Sequence, residues 1–396
     1  MNQYNNEVFI CSYGRTPIGA FQGSLSKLSA IKLGSFVIKY LLSNTSIPND
    51  RINEVIMGNV LSANLGQAPA RQVALGGGLL HNVECMTINK VCGSGLKAVM
   101  LGDQSIRLDN SNFVIAGGME NMSLAPHYIP KSRQGVKFGH NQLIDSIITD
   151  GLWDPYNNKL MGNCGEILSK ENNYTKKDQD DYAIESYNRS ILAIEKGLFK
   201  DEITSIELKN KKGTTIIDTD EEPMKFNKDK LLSLKPAFEK EGSITAGNAS
   251  SLSDGSAAVL LASSNKVKEF DLKPIAKIIC HASFAMDPVY FTKAPIYAIK
   301  KVLKKANLTI NDIDLFEINE AFSCVPLVAM DELDIPIDKL NVNGGAVSLG
   351  HPIGASGTRI LVTLINALSM KKLKYGVASL CIGGGEASAV IVEMCK

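Results

Sequence analysis

The segment TINKVCGSGLKAVML, residues 87–101, combines a short apolar run, a glycine-rich turn and a helical pattern. We predict that the helix begins near Ser94, so that its free N–H groups and the positive end of its dipole face Cys92. Such a helix terminus can lower the pKa of a thiol from its usual value of about 8.5. Two interpretations of Cys92 stay open: an inert buried thiol in a tight turn, or a nucleophile directed at a substrate.

A later part of the chain repeats this plan. Residues 341–357, NVNGGAVSLGHPIGASG, form a second glycine-rich turn, which leads into the predicted helix TRILVTLINAL, residues 358–368. Each turn-helix unit is followed by a strand that ends on glycines, FVIAGGMEN at 113–121 and YGVASLCIGGG at 375–385. This self-similarity indicates two duplicated halves whose corresponding turns meet near one site.

Short β-branched runs alternate with amphipathic segments such as APIYAIKKVLKKA, residues 294–306, which predicts an α/β protein with covered sheets. Residues 122–245 are more polar and contain the only tryptophan, so we interpret them as an insertion. Within them, Thr175 as N-cap and Gly197 as stop predict a helix. Its predicted apolar face is formed by Ala183, Tyr187, Ile191 and Ile194.

Composition narrows the classes of function. The 42 basic and 41 acidic residues nearly cancel, which argues against nucleic acid or an anionic membrane as partner. With no apolar segment of membrane-spanning length and no sorting signal, we expect a cytoplasmic protein. The eight cysteines show no C-x-x-C spacing, which argues against a disulfide framework and a zinc site.

Three further residues are candidates for chemistry. His351 lies in a loop with five glycines, where it either serves as acid or base toward a cavity or bonds a neighbouring carbonyl. Cys381 precedes three glycines whose N–H groups suit an oxyanion pocket, or is a buried strand cysteine. Asn319 either caps the next helix or holds a water or donates to a carbonyl oxygen. A dinucleotide fingerprint in GSGLKA lacks the acidic residue expected about 20 positions later.

The motifs VCGSG, NEAF, GHPIGASG and CIGGG, in this order, resemble the signature set of the thiolase superfamily. The segments MGNCGEI (161–167) and TAGNASSLSDG (245–255) are most similar to acetyl-CoA acetyltransferases. The resemblance implies the α/β thiolase fold, with two βαβαβαββ halves in five α/β/α/β/α layers plus a loop domain. It also implies an N-terminal half of residues 1–121 plus 246–270, a coenzyme A-binding loop domain of 122–245 and a C-terminal half of 271–396.

The resemblance assigns roles to the candidates. Cys92 resembles the nucleophile that accepts the acetyl group, Cys381 the acid/base that removes the α-proton, and His351 the residue that activates Cys92. Asn319, through a water, and His351 resemble one oxyanion pocket, and the N–H groups of Cys92 and Gly383 a second. Two thioesters joined through a carbon-carbon bond require both an acyl carrier and a separate base, and each step develops negative charge on an oxygen.

Contacts with coenzyme A follow from the same resemblance. The expected contacts of the pantetheine arm, nucleotide and acyl group are Tyr187, Lys225, Lys230, Ser250, Met161 and Phe322. Potassium-responsive relatives share residues that imply a potassium site at Tyr187, Ala246, Gly247, Ala249 and Val347. The sequence departs from the family at Leu160, where many relatives have histidine, and at Lys225, where arginine is common.

The resemblance implies reversible Claisen condensation of two acetyl-CoA to acetoacetyl-CoA and CoA, with no metal or redox cofactor required, in a homodimer or homotetramer. Three alternatives remain open. The first alternative is a broader 3-oxoacyl-CoA thiolase of β-oxidation, and the second is a CoA- or lipid-binding relative without turnover. The third is a nicotinamide-dependent oxidoreductase. Turnover of short and long 3-oxoacyl-CoA substrates, and a fluorescence titration with NADH, separate them.

Overall fold

The computed structural model describes residues 6–210 and 213–395, and its core is one large sheet. The strand segments predicted from β-branched runs all appear in it. In chain order the long strands are β1 (Val8–Arg15), β2 (Glu54–Gly58), β3 (Glu84–Ile88), β4 (Phe113–Asn121), β5 (Ser253–Ser263), β6 (Ala276–Ala285), β7 (Leu315–Ile318), β8 (Tyr375–Ile382) and β9 (Glu386–Met394).

The order of strands across the sheet is β7-β8-β9-β6-β1-β5-β4-β2-β3, with the two-residue strand Gly19–Ala20 paired to β5. In one half β2 runs parallel to β4, β4 antiparallel to β5, and β5 antiparallel to β1. The other half repeats this pattern with β7, β8, β9 and β6. The halves join through β1 and β6, where Val8 pairs with Ile278. The predicted duplication is confirmed, and β3 is the additional edge strand.

Helices cover the sheet on both sides and fill the space between the halves. Their bounds are α1 (Ala30–Ser43), α2 (Pro69–Gly76), α3 (Ser94–Arg107), α4 (Met161–Glu171), α5 (Lys176–Glu195), α6 (Lys228–Ser233), α7 (Ser264–Glu269), α8 (Ala294–Ala306), α9 (Cys324–Leu333), α10 (Ala346–Leu349) and α11 (Ser356–Lys371).

Helices α3 and α11 form the middle layer, buried between one face of each half. Helices α1 and α2 pack on the outer face of the first half, and α8 and α9 on the outer face of the second. The predicted five-layer thiolase fold is therefore confirmed. Because α3 follows the first glycine-rich turn and α11 the second, the middle layer brings the two turns together.

Glycines allow α3 and α11 to touch at their N-terminal ends. A Cβ placed on Gly95 would lie 2.7 Å from Thr358 Oγ1, and one placed on Gly357 would lie 2.4 Å from the backbone nitrogen of Leu96. Neither position has room for a side chain. These glycines thus serve helix packing. The glycine spacing in GSGLKA, which resembles part of a dinucleotide fingerprint, is accounted for by this contact between the helices.

The segment between β4 and β5 holds α4, α5, α6 and three hairpins, Ile206–Asn210 with Gly213–Ile217, His127–Tyr128 with Ile144–Asp145, and Trp153–Asp154 with Lys159–Leu160. Short 3-10 or π turns complete the chain at Asn49–Arg51, Ser132–Gln134, Ile147–Leu152, Pro223–Lys225, Pro288–Lys293, Ile310–Asp312 and Ile337–Lys339. The predicted domain boundaries at 121/122, 245/246 and 270/271 stay a prediction.

Helix α5 confirms the predicted N-cap, since the Thr175 hydroxyl accepts from the N–H of Asp178 and the Asp178 carboxylate accepts from the N–H of Thr175. The predicted apolar face is right in part, since Ala183 is buried and Tyr187, Ile191 and Ile194 are half-buried. The most deeply buried side also holds small and polar residues, among them Ser186 and Ser190. The physical reason is that this side meets the backbone of Gly344, which leaves no space for a large side chain.

Within the residues that the structure covers, no helix is both long and apolar enough to cross a membrane.

Candidate active site

The turn between β3 and α3 holds Cys92 in a strained setting. Val91 has a left-handed backbone with φ of 47°, which is rare for a β-branched residue. The Asn89 side chain accepts from the N–H of Val91 at 2.9 Å, and the Ser94 hydroxyl donates to the carbonyl of Val91 at 2.7 Å. Backbone strain of this kind costs about 1–3 kcal/mol and persists only where the surroundings hold it. The turn therefore fixes the orientation of Cys92.

The half-buried Cys92 thiol meets the second half of the molecule at Gly383. Burial raises the pKa of Cys92 to about 11, while the backbone N–H groups of Gly383 and of Cys92 itself oppose that rise. The expectation that the helix terminus lowers this pKa is wrong, because desolvation outweighs the N–H groups. Cys92 therefore rests as a thiol and needs a base to become a nucleophile.

The second candidate thiol lies beside the first. Cys381 is fully buried near the end of β8. Burial raises its pKa well above the usual value, and the Cys92 and Cys324 thiols raise it further. Gly93 lies against Ile382, and Val91 lies against Gly383, so the turn that carries Cys92 packs on the end of β8 that carries Cys381. A protonated Cys381 is equipped to donate a proton and then to act as base.

The imidazole of His351 is held in one tautomer. The Ser356 hydroxyl lies 2.5 Å from His351 Nδ1 and donates its single hydrogen to the carbonyl of Pro352 at 2.9 Å. It must therefore accept from Nδ1–H, which leaves the neutral ring with a bare lone pair on Nε2. Nε2 has no partner among the described residues. The structure thus supports the catalytic interpretation of this histidine.

Electrostatics keep His351 uncharged. The side chain is only 6% exposed, and burial together with the positive charge of Arg359 lowers the pKa of His351 to about 3. At neutral pH the ring is therefore a free base. A neutral imidazole with a free Nε2 is able to accept a proton from a thiol within reach.

Asn319 does not cap the following helix. Helix α9 begins at Cys324 with Ser323 at its N-cap position, and Asn319 lies earlier, directly after β7. Its side chain is fully buried, yet neither its amide oxygen nor its nitrogen has a partner within the described part of the chain. Since an unpaired buried amide is costly, this group is suited to bind a water or a substrate oxygen.

A cavity of about 420 Å3 opens onto this region. Its walls include four predicted site residues, Met161, Ser250, Phe322 and His351. The two thiols do not line the cavity directly. Cys92 packs with wall residues such as Met122 and Ile353, and Cys381 with Met161 and Phe322. The wall is otherwise apolar, formed by Met122, Leu152, Leu160, Ala237, Phe238, Ala246, Ala249, Leu252 and Ile353, with Gly162 and Ser251.

An adjoining cavity of about 230 Å3 gathers Tyr187, Lys225 and Lys230. Ala246 belongs to the walls of both cavities, so the two are adjacent. The Tyr187 ring stacks on Phe226 with centroids 4.5 Å apart, and burial raises the pKa of Tyr187 to about 12. The structure thus places the predicted coenzyme A contacts in two adjacent cavities, although their role stays a prediction.

The residues of the predicted potassium site are close but not in one cavity. Tyr187, Ala246 and Gly247 line the smaller cavity, Ala249 lines the larger one, and Val347 packs in the same cluster as Tyr187. Within residues 6–210 and 213–395, no three side chains of His, Cys, Asp and Glu converge as a metal site would require. Any cation here would depend on a hydroxyl and on main-chain carbonyls.

Sequence reasoning missed Glu120, which ties the first half to the His351 loop. Its buried carboxylate accepts hydrogen bonds from the N–H groups of Val60, Leu61 and Gly354 at 2.9–3.1 Å and from Asn59 Nδ2 at 2.7 Å. Burial raises its pKa to about 7. An acidic residue within the otherwise uncharged strand FVIAGGMEN was the available signal.

A second missed carboxylate, Glu320, ties α5 to the C-terminal half. It accepts from the hydroxyls of Tyr182 and Ser186, from Asn341 Nδ2 and from the N–H of Val347 at 2.7–3.0 Å. Glu320 directly follows Asn319 in the sequence. The hydrogen bonds of Glu320 therefore hold both α5 and the segment that carries the unpaired Asn319 side chain. Its signal was its place in the NEAF motif.

Comparison with known proteins agrees with this geometry. The model of the thiolase N-terminal domain matches residues 8–265, and that of the C-terminal domain residues 272–394. The acetyl-CoA acetyltransferase of Yarrowia lipolytica is 52% identical over 98% of this chain and 96% of its own. Acetyl-CoA acetyltransferase 2 of Arabidopsis thaliana is 49% identical over 98% and 97%.

A solved structure shares the fold. The Acat5 thiolase of Ascaris suum, crystallised in complex with coenzyme A, superposes with a TM-score of 0.93 at 42% identity, over 98% of this chain and 100% of its own. Two family models that together span nearly the whole chain, and relatives near 50% identity, agree with the duplicated sheet and the paired turns. This chain belongs to the thiolase family.

Proposed function

We propose that this protein is an acetyl-CoA C-acetyltransferase, which condenses two acetyl-CoA to acetoacetyl-CoA and CoA and also catalyses the reverse cleavage. The observation that carries the proposal is a cavity with the free Nε2 of His351 in its wall, while the Cys92 and Cys381 thiols belong to the buried clusters that form the rest of that wall. The names of the relatives and the coenzyme A complex of the Ascaris suum thiolase support it.

The first half-reaction transfers the acetyl group to Cys92. His351 Nε2 takes the Cys92 proton as the sulfur attacks the thioester carbon, and the Cys381 thiol gives its proton to the departing CoA thiolate. This leaves His351 protonated at Nε2 and Cys381 as a thiolate. The carbonyl oxygen becomes negative in this step, and the N–H groups of Cys92 and Gly383 are placed to stabilise it. Acetyl-Cys92 and free CoA result.

The second half-reaction forms the carbon-carbon bond. Cys381, as thiolate, removes a proton from the methyl group of a second acetyl-CoA, and the enolate oxygen is stabilised by His351 and by a water held on Asn319. The enolate carbon attacks acetyl-Cys92, the carbon-sulfur bond breaks, and the Cys92 thiolate regains its proton from His351 Nε2. The burial of Cys381 suits this role, because a desolvated thiolate is a strong base.

Coenzyme A occupies the two adjacent cavities in this proposal. Its pantetheine arm lies along Ser250 and Met161, its phosphates near Lys225 and Lys230, and its acyl group against Phe322. Exchange of Lys230 for glutamate should raise KM for acetyl-CoA, because a positive charge that attracts the CoA phosphates becomes a negative charge that repels them. The rise in KM should be larger at low salt, where this electrostatic effect is less screened. Lys228→Glu, in the same helix but outside the cavity wall, is the matched control.

The range of acyl chains is a second question that the cavity raises. Leu152 and Leu160 contribute apolar surface to its wall, and Leu160 replaces the histidine of many relatives. This supports, as second candidate, a thiolase that also accepts longer 3-oxoacyl-CoA. Comparison of kcat/KM for acetoacetyl-CoA with that for a long-chain 3-oxoacyl-CoA separates the candidates, and no turnover of either substrate favours a binding relative.

Potassium would act as a structural ion. Tyr187 and the carbonyls of Ala246, Gly247, Ala249 and Val347 offer neutral oxygen donors, which suit a large monovalent cation. When bound, it would order the loop that carries Ser250. Replacement of potassium by sodium should raise KM for acetyl-CoA if the site is real.

The expected homodimer or homotetramer has structural support. Strand β3 lies at the edge of the sheet, and Met86 within it is 46% exposed. Apolar side chains of the inserted segment, Phe138, Leu143 and Tyr156, are also largely exposed. Light scattering after size-exclusion chromatography measures the subunit number. The cytoplasmic location stays a prediction.

The experiment that tests the proposed function is mass spectrometry after incubation with acetyl-CoA. The wild-type protein should carry one acetyl group on Cys92, Cys92→Ser should carry none, and Cys381→Ser should acetylate but not form acetoacetyl-CoA. Acetylation of a cysteine other than Cys92 contradicts the assignment.

A further inference from the structure

An ion pair joins the two glycine-rich turns at the candidate active site. Lys90 lies two residues before Cys92, and Glu386 is the first residue of β9, directly after Gly383–Gly385. The Lys90 ammonium pairs with the Glu386 carboxylate. Both side chains are partly buried, with exposed fractions of 22% and 37%. The pair therefore links a turn of the first half to a turn of the second.

The two turns that this pair links pack against each other through side chains and glycines. A Cβ on Gly383 would lie 3.6 Å from Val91 Cγ1, and a Cβ on Gly93 would lie 2.3 Å from Ile382 Cδ1. The N–H groups of Cys92 and Gly383, which face the same sulfur, come from these two segments. Their separation hence depends on how the two turns are held against each other.

Further contacts hold each turn within its own half of the molecule. A Cβ on Gly385 would lie 2.3 Å from the carbonyl oxygen of Met286, so the glycine loop rests on its own half of the molecule. Val91 keeps its left-handed backbone through Asn89 and Ser94, which belong to the first turn. Between the two turns themselves, the Lys90–Glu386 pair is the ionic contact that the described residues show.

Most partly exposed ion pairs contribute little to stability, and pairs within one helix, such as Lys177–Asp181, connect residues that are already close. The Lys90–Glu386 pair is different, because it joins segments that only the tertiary fold brings together. Loss of the pair should therefore change the spacing of the Cys92 and Gly383 N–H groups, and it should change the free energy of unfolding very little.

We propose that Lys90 and Glu386 are positioning residues, which hold the N–H groups of Cys92 and Gly383 at the spacing that binds the thioester oxygen during acyl transfer. This inference rests on the proposed function, since it assumes that acetyl-CoA acylates Cys92. Neither side chain touches substrate. Loss of the pair should slow acetylation of Cys92 while substrate binding stays intact.

The test is a charge exchange. Lys90→Glu and Glu386→Lys each place like charges together, and the double variant restores an ion pair in reverse. We expect each single variant to acetylate Cys92 about tenfold more slowly in a single turnover, which is less than the loss of a direct oxyanion donor. KM should stay within about twofold, and the double variant should recover most of the rate.

Controls separate a positioning role from a general defect. Lys277→Glu disrupts a similarly exposed pair with Glu393 at the other end of β9, and it should acetylate at the wild-type rate. If a reversed single variant does not fold, Lys90→Met and Glu386→Gln remove each charge without repulsion and should show the same loss.

The outcomes also separate this inference from the proposed function. Wild-type protein that gains no acetyl group on Cys92 overturns both. Normal acetylation in the wild type and in every single variant overturns only the positioning role, as does a double variant no faster than the slower single variant.

Discussion

Exchange of Gly95 for alanine tests whether close contact of α3 and α11 sets the active-site geometry. The added methyl group would lie 2.7 Å from Thr358 Oγ1, 2.9 Å from the Thr358 nitrogen and 3.0 Å from the Gly354 carbonyl oxygen. Ordinary contacts begin near 3.4 Å, so the helices must separate by the difference between 2.7 and 3.4 Å, about 0.7 Å. Two of the three opposing atoms belong to the backbone and have no rotamer through which to yield.

The expected effect on stability is a balance of two contributions. Alanine is a better helix former than glycine by about 1 kcal/mol, whereas overpacking costs about 1–3 kcal/mol. We expect Gly95→Ala to lower the free energy of unfolding by about 1–2 kcal/mol. Because Gly354 and Thr358 flank the segment after His351, the separation also moves the imidazole away from Cys92, and a misplacement near 1 Å can cost about 100-fold in rate. We expect kcat to fall about 10- to 100-fold.

Urea unfolding and steady-state cleavage of acetoacetyl-CoA measure the two effects. Gly102→Ala is the matched control in the same helix, where the added methyl group would meet the end of the Leu261 side chain at 2.9 Å. A side-chain end can rotate aside, so this variant should keep its activity and stay within about 1 kcal/mol of the wild type. Wild-type kcat and stability in Gly95→Ala would refute the reasoning.

Three further predictions concern protonation and support of the site. Alkylation of Cys92 by iodoacetamide should accelerate through pH 9 without a plateau, because its pKa is raised to about 11 and the thiolate fraction grows with pH; a plateau near pH 7 contradicts this. Ser356→Ala should lower kcat about tenfold at unchanged KM, since the tautomer of His351 loses its anchor; unchanged steady-state kinetics would show that no anchor is needed. Glu120→Gln should lower the free energy of unfolding by about 1–3 kcal/mol in urea, because the amide nitrogen cannot accept hydrogen bonds from the N–H groups around it. An unaltered urea midpoint would show that the carboxylate does not stabilise these loops.

Local sequence patterns were sufficient to predict many of the helices and strands. The helix predicted at 294–306 and the strand predicted at 113–121 have the predicted bounds, because their periodicity and turn residues are contained in the segments themselves. The pairing of the two halves followed from their similar order of strand, glycine turn and helix. The four motifs then identified the family.

Properties that depend on distant contacts could not be predicted. The pKa of Cys92 is raised because burial, which depends on the whole fold, outweighs the local helix terminus. The buried face of α5 is polar because Ser186 approaches Glu320 and Gly344, which lie far along the chain. The tautomer of His351 depends on where a single hydroxyl hydrogen of Ser356 points.

The placement of the two turns also has a consequence during biosynthesis. A ribosome completes position 92 long before positions 351, 381 and 383, and in the proposed mechanism the thiol gains its base and its second N–H donor only when those residues dock against the first half. An unfinished or truncated polypeptide that ends before β8 would therefore lack a working centre. The reactive chemistry appears only when both halves have folded and closed on each other, so the nascent chain cannot consume thioesters.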